Sequence, residues 1–299
     1  MARMDNPNMP SAAKPLALAD LERRRNLRFR RRPGLRCRNE DDIRTFVEDV
    51  GFCLLFNVNG VIAPTVYQAV AGFDKLTTPK HDDPTISLTW NTKDRSLDKR
   101  WWYYGKLLRQ KATLVSLTLL PAFYALSENF GGDDDYLAEY EAGTLSAESK
   151  AIYEALMTHG PLHAIDLKRK ANLYGDESKG RFDKALSQLQ AGLKVLPVGV
   201  AEAGAWRYAF IYDIVSRWYP DIPAEAREIS RGDARATLAL RHIRNVVAAS
   251  PRDLERLFGW AKPEVASTLR RLTEAGSIRL GPWLADEKGD VAVDATVWA

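Results

Sequence analysis

The chain is poor in cysteine, with only Cys37 and Cys53 among 299 residues. They match neither a metal-ligand spacing nor a disulfide framework, so a reduced, cytoplasmic setting is expected. Long apolar runs are also lacking. The longest, LVSLTLLPAFYAL at 114–126, contains Pro121 and is too short to span a bilayer. The opening MARMDNPNMPSAAKPLALAD has no continuous apolar stretch of the kind a secretion signal needs. There is no glycine-rich phosphate loop and no serine nucleophile elbow. The four histidines, His81, His159, His163 and His242, form no catalytic pair. His159 and His163 are helix-spaced, but Gly160-Pro161 intervenes, which disfavours a shared metal. The acidic GGDDDY beginning at Gly131 lacks the later ligands of a calcium loop and reads as a solvated linker. Neither a metal nor a cofactor is expected.

What the chain does have is unevenly placed positive charge. The net charge is only +4, from 43 Lys and Arg against 39 Asp and Glu. In LERRRNLRFRRRPGLRCR (21–38), however, nine of eighteen residues are arginine. Residues 1–38 are read as a flexible basic arm, with Arg30, Arg31 and Arg32 as candidate phosphate contacts, since the guanidinium fork suits phosphate. The alternative is a solvated basic face. Asn39 can then cap a helix whose acidic first turn (Glu40, Asp41, Asp42) suits the helix dipole. Ile43, Phe46, Val47 and Val50 give it one buried face, and Gly51 stops it.

GFCLLFNVNGV (51–61) follows, with Asn57 and Asn59 two apart and so on one side of an extended segment. As turn chemistry, Asn59-Gly60 is a hairpin signal and Asn57 bonds its own backbone. As function, the two amides form a recognition or reaction pair. Residues 69–100 read as a loop-rich connection with a short strand near TISLTW, and 99–130 as two helices or one broken helix. On one face of that helix Trp101, Tyr104 and Leu108 point to the core. Trp102, Tyr103 and Lys106 lie on another, where rings can stack on a base beside phosphate-holding Arg100 and Arg109.

The second half contains an internal repeat, 144–199 against 233–283. Each copy has an amphipathic helix, a small-residue turn with proline (Gly160-Pro161, Ser250-Pro251), a short helix and a longer basic helix. Each longer helix ends near glycine (Gly192, Gly276) and runs into β segments. The basic positions are Lys179, Arg181 and Lys184 in one copy and Lys262, Arg270 and Arg271 in the other. This is the winged-helix pattern, whose last helix is free to enter a major groove. The expected fold is mainly α with small β wings, as tandem winged-helix domains. The expected divisions are a divergent first unit at 39–143, a second at 144–222 and a third at 223–299. Winged helices also serve as protein–protein modules, which stands as the alternative to DNA binding.

The repeats, with VEDVGFCLLFNVNGV and RWWYYGKLLRQKATLVSLTLLPAFYAL, resemble the AlkZ/YcaQ-like winged-helix family of bacterial DNA glycosylases that unhook crosslinks. The resemblance covers about residues 36 to 285. It implies tandem winged helices curved around duplex DNA, and a catalytic motif of Gln, an apolar residue, then Gln or Asp. Asn57, Val58 and Asn59 occupy that motif here. In the family mechanism the pair positions a water and offsets charge developing on the sugar. Asn59 supplies no negative charge, and Asn57 is one methylene shorter than Gln. Two readings follow: a cytoplasmic, nucleoid-associated, monomeric binder of double-stranded DNA with lost or altered glycosylase activity, or an active glycosylase. The latter would hydrolyse the N-glycosidic bond of alkylated or crosslinked bases with Asn57 and Asn59.

Overall fold

The computed structural model describes residues 14–76, 82–127, 129–130, 132, 134–175, 178–204, 207–285 and 289–298. The leader before residue 14, His81, and Gly131 and Asp133 of the acidic stretch lie outside the described residues.

The chain opens with α1 (Leu18–Arg28) and then repeats one plan three times. The first unit holds α2 (Glu40–Val50), β1 (Phe52–Leu54), α3 (Val66–Ala71), α4 (Pro84–Ser96), β2 (Trp102–Gly105), β3 (Thr113–Ser116) and α5 (Leu120–Tyr124). The second holds α6 (Asp135–Glu141), α7 (Ala147–His159), β4 (Leu162–His163), α8 (Ala164–Lys170), α9 (Lys179–Ala191), β5 (Val195–Ala201), β6 (Ala209–Ile214), α10 (Val215–Trp218) and α11 (Ile222–Arg227). The third holds α12 (Arg231–Val246), β7 (Ala248–Ala249), α13 (Pro251–Phe258), α14 (Lys262–Glu274), β8 (Ile278–Gly281) and β9 (Val291–Asp294). Each unit carries a three-stranded antiparallel sheet, ordered β1-β3-β2, β4-β6-β5 and β7-β9-β8. The molecule is therefore mainly helical with small antiparallel sheets, and no helix among the described residues is long and apolar enough to cross a membrane.

The turn from leading helix to first strand takes a positive φ in every unit: +76° at Gly51, +78° at Gly160 and +69° at Val247. Glycine does this without cost, whereas a β-branched residue there is strained by about 1–3 kcal/mol. Val247 is nonetheless buried in an apolar cluster with Leu21, Ala248 and Val293, which offsets the strain.

Three expectations are corrected. TISLTW lies within α4, not in a strand. Asp83 caps that helix by accepting from the Thr85 N–H at 2.9 Å, and Pro84 sits in its first turn, so the proline marks a beginning rather than a break. Residues 99–130 are not a helix pair but mainly the β2–β3 hairpin and the short α5. The first sheet is buried on both sides. Phe52, Tyr103 and Val115 enter one core while Cys53, Trp102 and Leu114 enter another. Strands buried on both faces lose the alternation that distinguishes them from helix.

The third correction concerns the basic arm. Residues 18–28 form a helix packed on the third unit. Leu21 and Phe29 are buried, and Arg25 donates from Nε to the Val246 carbonyl (2.7 Å) and from Nη2 to the Ala248 carbonyl (3.0 Å). Leu16 pairs its backbone with Trp283 and Ala285. The arginines flanking an apolar stripe carry this helix on one face and solvent on the other.

Two polar groups mark joints between units. Lys93 of α4 is fully buried, ion-paired to Asp94 at 2.5 Å, with Trp90 and Phe210 rings 4.1 and 4.6 Å from its ammonium. Burial holds its pKa below the ordinary lysine value. It also donates to Tyr208 Oη at 3.1 Å, tying α4 to the second unit. His242 of α12 stacks on Phe52 of β1, and burial, opposed by Asp253 and supported by Arg25, pushes its pKa down to about 4.

Two outcomes are expected. Arg25→Ala leaves two buried carbonyls unpaired and lowers stability by about 2–3 kcal/mol, read from urea unfolding, with faster tryptic cleavage within 23–32. For His242, the unfolded chain takes up a proton near its ordinary pKa of about 6.5 while the folded protein resists until about 4. Stability is then full above pH 6.5 and falls on acidification through that window, by at most about 1.4 kcal/mol per pH unit from this group. His242→Phe should flatten that segment of the stability–pH curve, and an unchanged curve would refute the assignment.

Candidate functional site

The loop that carries Asn57 and Asn59 leaves β1 and returns to α3. Its ends are pinned by the backbone bonds Leu54 N–H to Pro64 O (3.0 Å), Leu55 N–H to Ala112 O (2.8 Å) and Tyr67 N–H to Leu55 O (3.1 Å). At its tip Val61 N–H donates to Val58 O at 3.1 Å, closing a turn around Asn59-Gly60. Only Gly60 takes a positive φ (+70°), the type II pattern, and neither Val58 nor Val61 belongs to a strand. The turn expected from Asn59-Gly60 is present, but it caps a loop instead of a hairpin. Arg256 of α13 donates to the Gly60 carbonyl at 2.8 Å and holds the tip on the third unit.

Asn57 is half-buried, and its Oδ1 is fully buried with no hydrogen-bond partner among the described residues. It does not fold back on its own backbone, as a turn-entry asparagine would. An orphaned buried carbonyl loses its water without replacement, which costs about 1–3 kcal/mol. Asn59 is exposed.

Both asparagines line one cavity of about 670 Å³, together with Glu22, Arg25, Arg31, Gln68 and Asp74. Three elements build its polar wall. From α1 come Glu22 and Arg25, paired at 3.2 Å. Arg31 follows that helix, its guanidinium 4.6 Å over the Phe29 ring. From α3 comes Gln68, buried and oriented at both ends: Oε1 accepts from Arg31 Nε at 2.8 Å, and Nε2 donates to Asp74 at 2.5 Å and to the Lys75 carbonyl at 3.2 Å. Thr65 caps α3 by accepting from the Gln68 N–H. Burial lowers the Arg31 pKa, and Asp74 and then Glu22 oppose the shift. The cavity thus sets two carboxylates and two guanidinium groups beside three amides. This set of donors and acceptors suits water and a polar ligand. Among the described residues no cluster of His, Cys, Asp and Glu is arranged to hold a metal.

The other expected site residues are scattered. Arg30 is engaged with Asp49 (2.9 Å) and the Asp42 carbonyl (3.0 Å), while Arg31 lines the cavity and Arg32 is exposed. Trp102 and Tyr103 are 3% and 0% exposed, so neither is placed to stack on a base. Tyr103 Oη donates to the Gln190 carbonyl at 3.2 Å, and the Trp102 carbonyl accepts from Tyr219 at 2.9 Å. Arg100 is exposed over the Trp218 ring at 4.3 Å, Lys106 reaches Ser187 of α9 at 3.0 Å, and Arg109 is exposed. Lys179, Arg181 and Lys184 are on the exposed side of α9, opposite Phe182, Ala185 and Leu189. Arg181 pairs with Glu148 at 3.4 Å. Lys262, Arg270 and Arg271 are exposed on α14, opposite Val265, Leu269 and Leu272, and Arg271 pairs with Asp233. None of these six lines the motif cavity.

Sequence reasoning missed Glu22, Arg25, Gln68 and Asp74. Gln68 did leave a signal as the single polar residue in VYQAVA. If Asn57 is kept for a ligand and not for the fold, removing its orphan acceptor should not destabilise. Asn57→Leu is expected to hold or raise stability by up to about 2 kcal/mol, measured by urea unfolding. A decrease of that size would show a structural bond instead.

A family model described as AlkZ related matches residues 37–259. No curated protein and no solved structure matches the chain. The matched range runs from the start of the first unit through α13, taking in the Asn57 loop, Gln68 and Asp74 but not α1 or Arg31. With most of its length matched, the chain belongs to the AlkZ-related family.

Proposed function

We propose that the protein binds double-stranded DNA through tandem winged-helix units, as the glycosylase-like relationship of its family suggests. The carrying observation is the threefold recurrence of helix, short strand, two helices and hairpin, with exposed cations on the third helices α9 and α14. In that plan the third helix is the one free to enter a major groove. Lys179, Arg181, Lys184, Lys262, Arg270 and Arg271 are the phosphate or groove contacts of this reading, with Arg32, Arg100, Lys106 and Arg109 on the first unit. The protein acts as a monomer in the cytoplasm, in contact with the nucleoid.

The motif at Asn57 and Asn59 departs from the Gln and Gln-or-Asp pair, so the chemistry is altered relative to the family pattern. One observation favours retained N-glycosidic hydrolysis over loss. Asn57, at the first motif position, lines a polar cavity with Asn59 and keeps a buried carbonyl that no described residue bonds.

Duplex affinity should fall linearly with log salt. Replacing Arg181 and Lys184 with Ala should make that slope shallower by about 0.9 for each phosphate the variant no longer neutralises. Salt-independent affinity, or no affinity at low salt, would defeat the binding reading. For hydrolysis, incubation with N7-alkylated duplex should leave abasic sites, and Asn57→Ala should abolish them while duplex affinity persists.

A further inference from the structure

The cavity around Asn57 and Asn59 contains the charge that the motif itself has lost. Hydrolysis of a glycosidic bond by water benefits from a carboxylate, both to offset positive charge on the sugar and to receive the water proton. Asparagine does neither at position 59. Two carboxylates reach the cavity, Glu22 and Asp74. Glu22 projects from α1 and is held by one bond, to Arg25. Asp74 is held from two sides. Gln68 Nε2 donates to its Oδ1 at 2.5 Å, and Arg31 stands 3.7 Å from the same oxygen. Gln68 is itself fixed by Arg31 and the Lys75 carbonyl, and is 1% exposed, so its amide has one orientation. Both contacts fall on Oδ1; the side chain is 67% exposed, and among the described residues Oδ2 has no hydrogen-bond partner. A carboxylate clamped on one oxygen, with the other open to water in the cavity that Asn57 and Asn59 also line, is placed to take a proton from that water.

We propose that Asp74 is the catalytic base of this site, replacing from the end of α3 the acid that the motif lacks. The inference rests on the hydrolytic reading above. In the step, a water in the cavity that Asn57 and Asn59 line donates a hydrogen bond to Asp74. The water oxygen bonds to the anomeric carbon of the damaged nucleotide as the carbon–nitrogen bond breaks. The electron pair of that bond leaves with the base and neutralises the positive charge of an N7-alkylated purine. The water proton goes to the Asp74 carboxylate, and the products are the free base and a sugar hydroxyl. Arg31 and Gln68 are positioning residues that set the carboxylate. Arg31 lies before the matched range, so part of this clamp comes from a segment outside the family match.

The test is single-turnover base release from a duplex carrying N7-methylguanine, with the full-length protein in excess. Asp74→Asn should slow release about 100-fold or more, a typical general-base contribution, with duplex affinity unchanged within about 2-fold. Adding Asn59→Asp to that variant should recover at least about 10-fold, because it returns a carboxylate to the same cavity. A structural role for Asp74 would not be rescued in this way. Release by Asp74→Asn at the wild-type rate overturns the proposal. So does a slow Asp74→Asn that Asn59→Asp fails to rescue, or a site silenced by Glu22→Gln while Asp74→Asn stays active. A wild-type protein that releases no base defeats the hydrolytic reading itself, and does so before any substitution is compared.

Discussion

Burial of the first sheet on both faces is the constraint from which the rest of the molecule follows. Phe52, Val115 and Tyr103 line up across β1, β3 and β2 toward a core shared with Leu196 and Val215 of the second unit and Leu238 and Leu257 of the third. Cys53, Leu114 and Trp102 face a separate core closed by α2 and α3. A sheet with apolar residues on both sides cannot stand at a surface, so the second and third units must pack against it. The loop leaving β1 inherits that rigidity. Asn57 sits three residues beyond the strand, with backbone bonds from Leu54 and Leu55 fixing the exit. An amide carbonyl can be held buried and unpaired only by surroundings that firm.

Arginine serves three different physical roles in this chain, and composition does not separate them. Arg25 is buried without a fully desolvated anion because two backbone carbonyls accept its donors, with Glu22 at the solvent edge. Arg31 lies on an aromatic face and points its fork at Gln68 and Asp74. Arg181 and Arg271 lie exposed, and their pairs with Glu148 and Asp233 are of the kind worth little in water. Such pairs are readily exchanged for a phosphate, whereas Arg25 is committed to the fold.

What can be read from sequence follows from range. Asn39 does cap α2, accepting from Asp42 N–H at 2.8 Å, because capping is decided within four residues. The repeat at 144–199 and 233–283 is legible because its helices are amphipathic and punctuated by glycine and proline, and both hairpins fall where expected. The β2–β3 hairpin is hidden because two-sided burial erases the period of two. The α1 helix is hidden because nine arginines mask the Leu21 and Phe29 anchors. The motif position is visible, since it lies on one short stretch. The polar wall is not, because residues 22, 31, 68 and 74 meet only through the docking of α1 and the turn after α3. A cavity assembled from separated segments has no local pattern for a sequence to display.

The docking of α1 has a consequence for biosynthesis. Its anchors are the carbonyls of Val246 and Ala248 and the backbone of Trp283 and Ala285, all in the third unit. On a ribosome, α1 emerges first and has nothing to bind until the last unit has been made. The arginines of α1 then wait exposed while the three units form in turn, and Glu22 and Arg25 take their places at the cavity only late. The cavity wall is therefore completed near the end of synthesis, so a nascent chain that has already folded its first unit still presents an open, incompletely charged pocket. Completion of this wall is tied in this way to synthesis of the third unit through its hairpin.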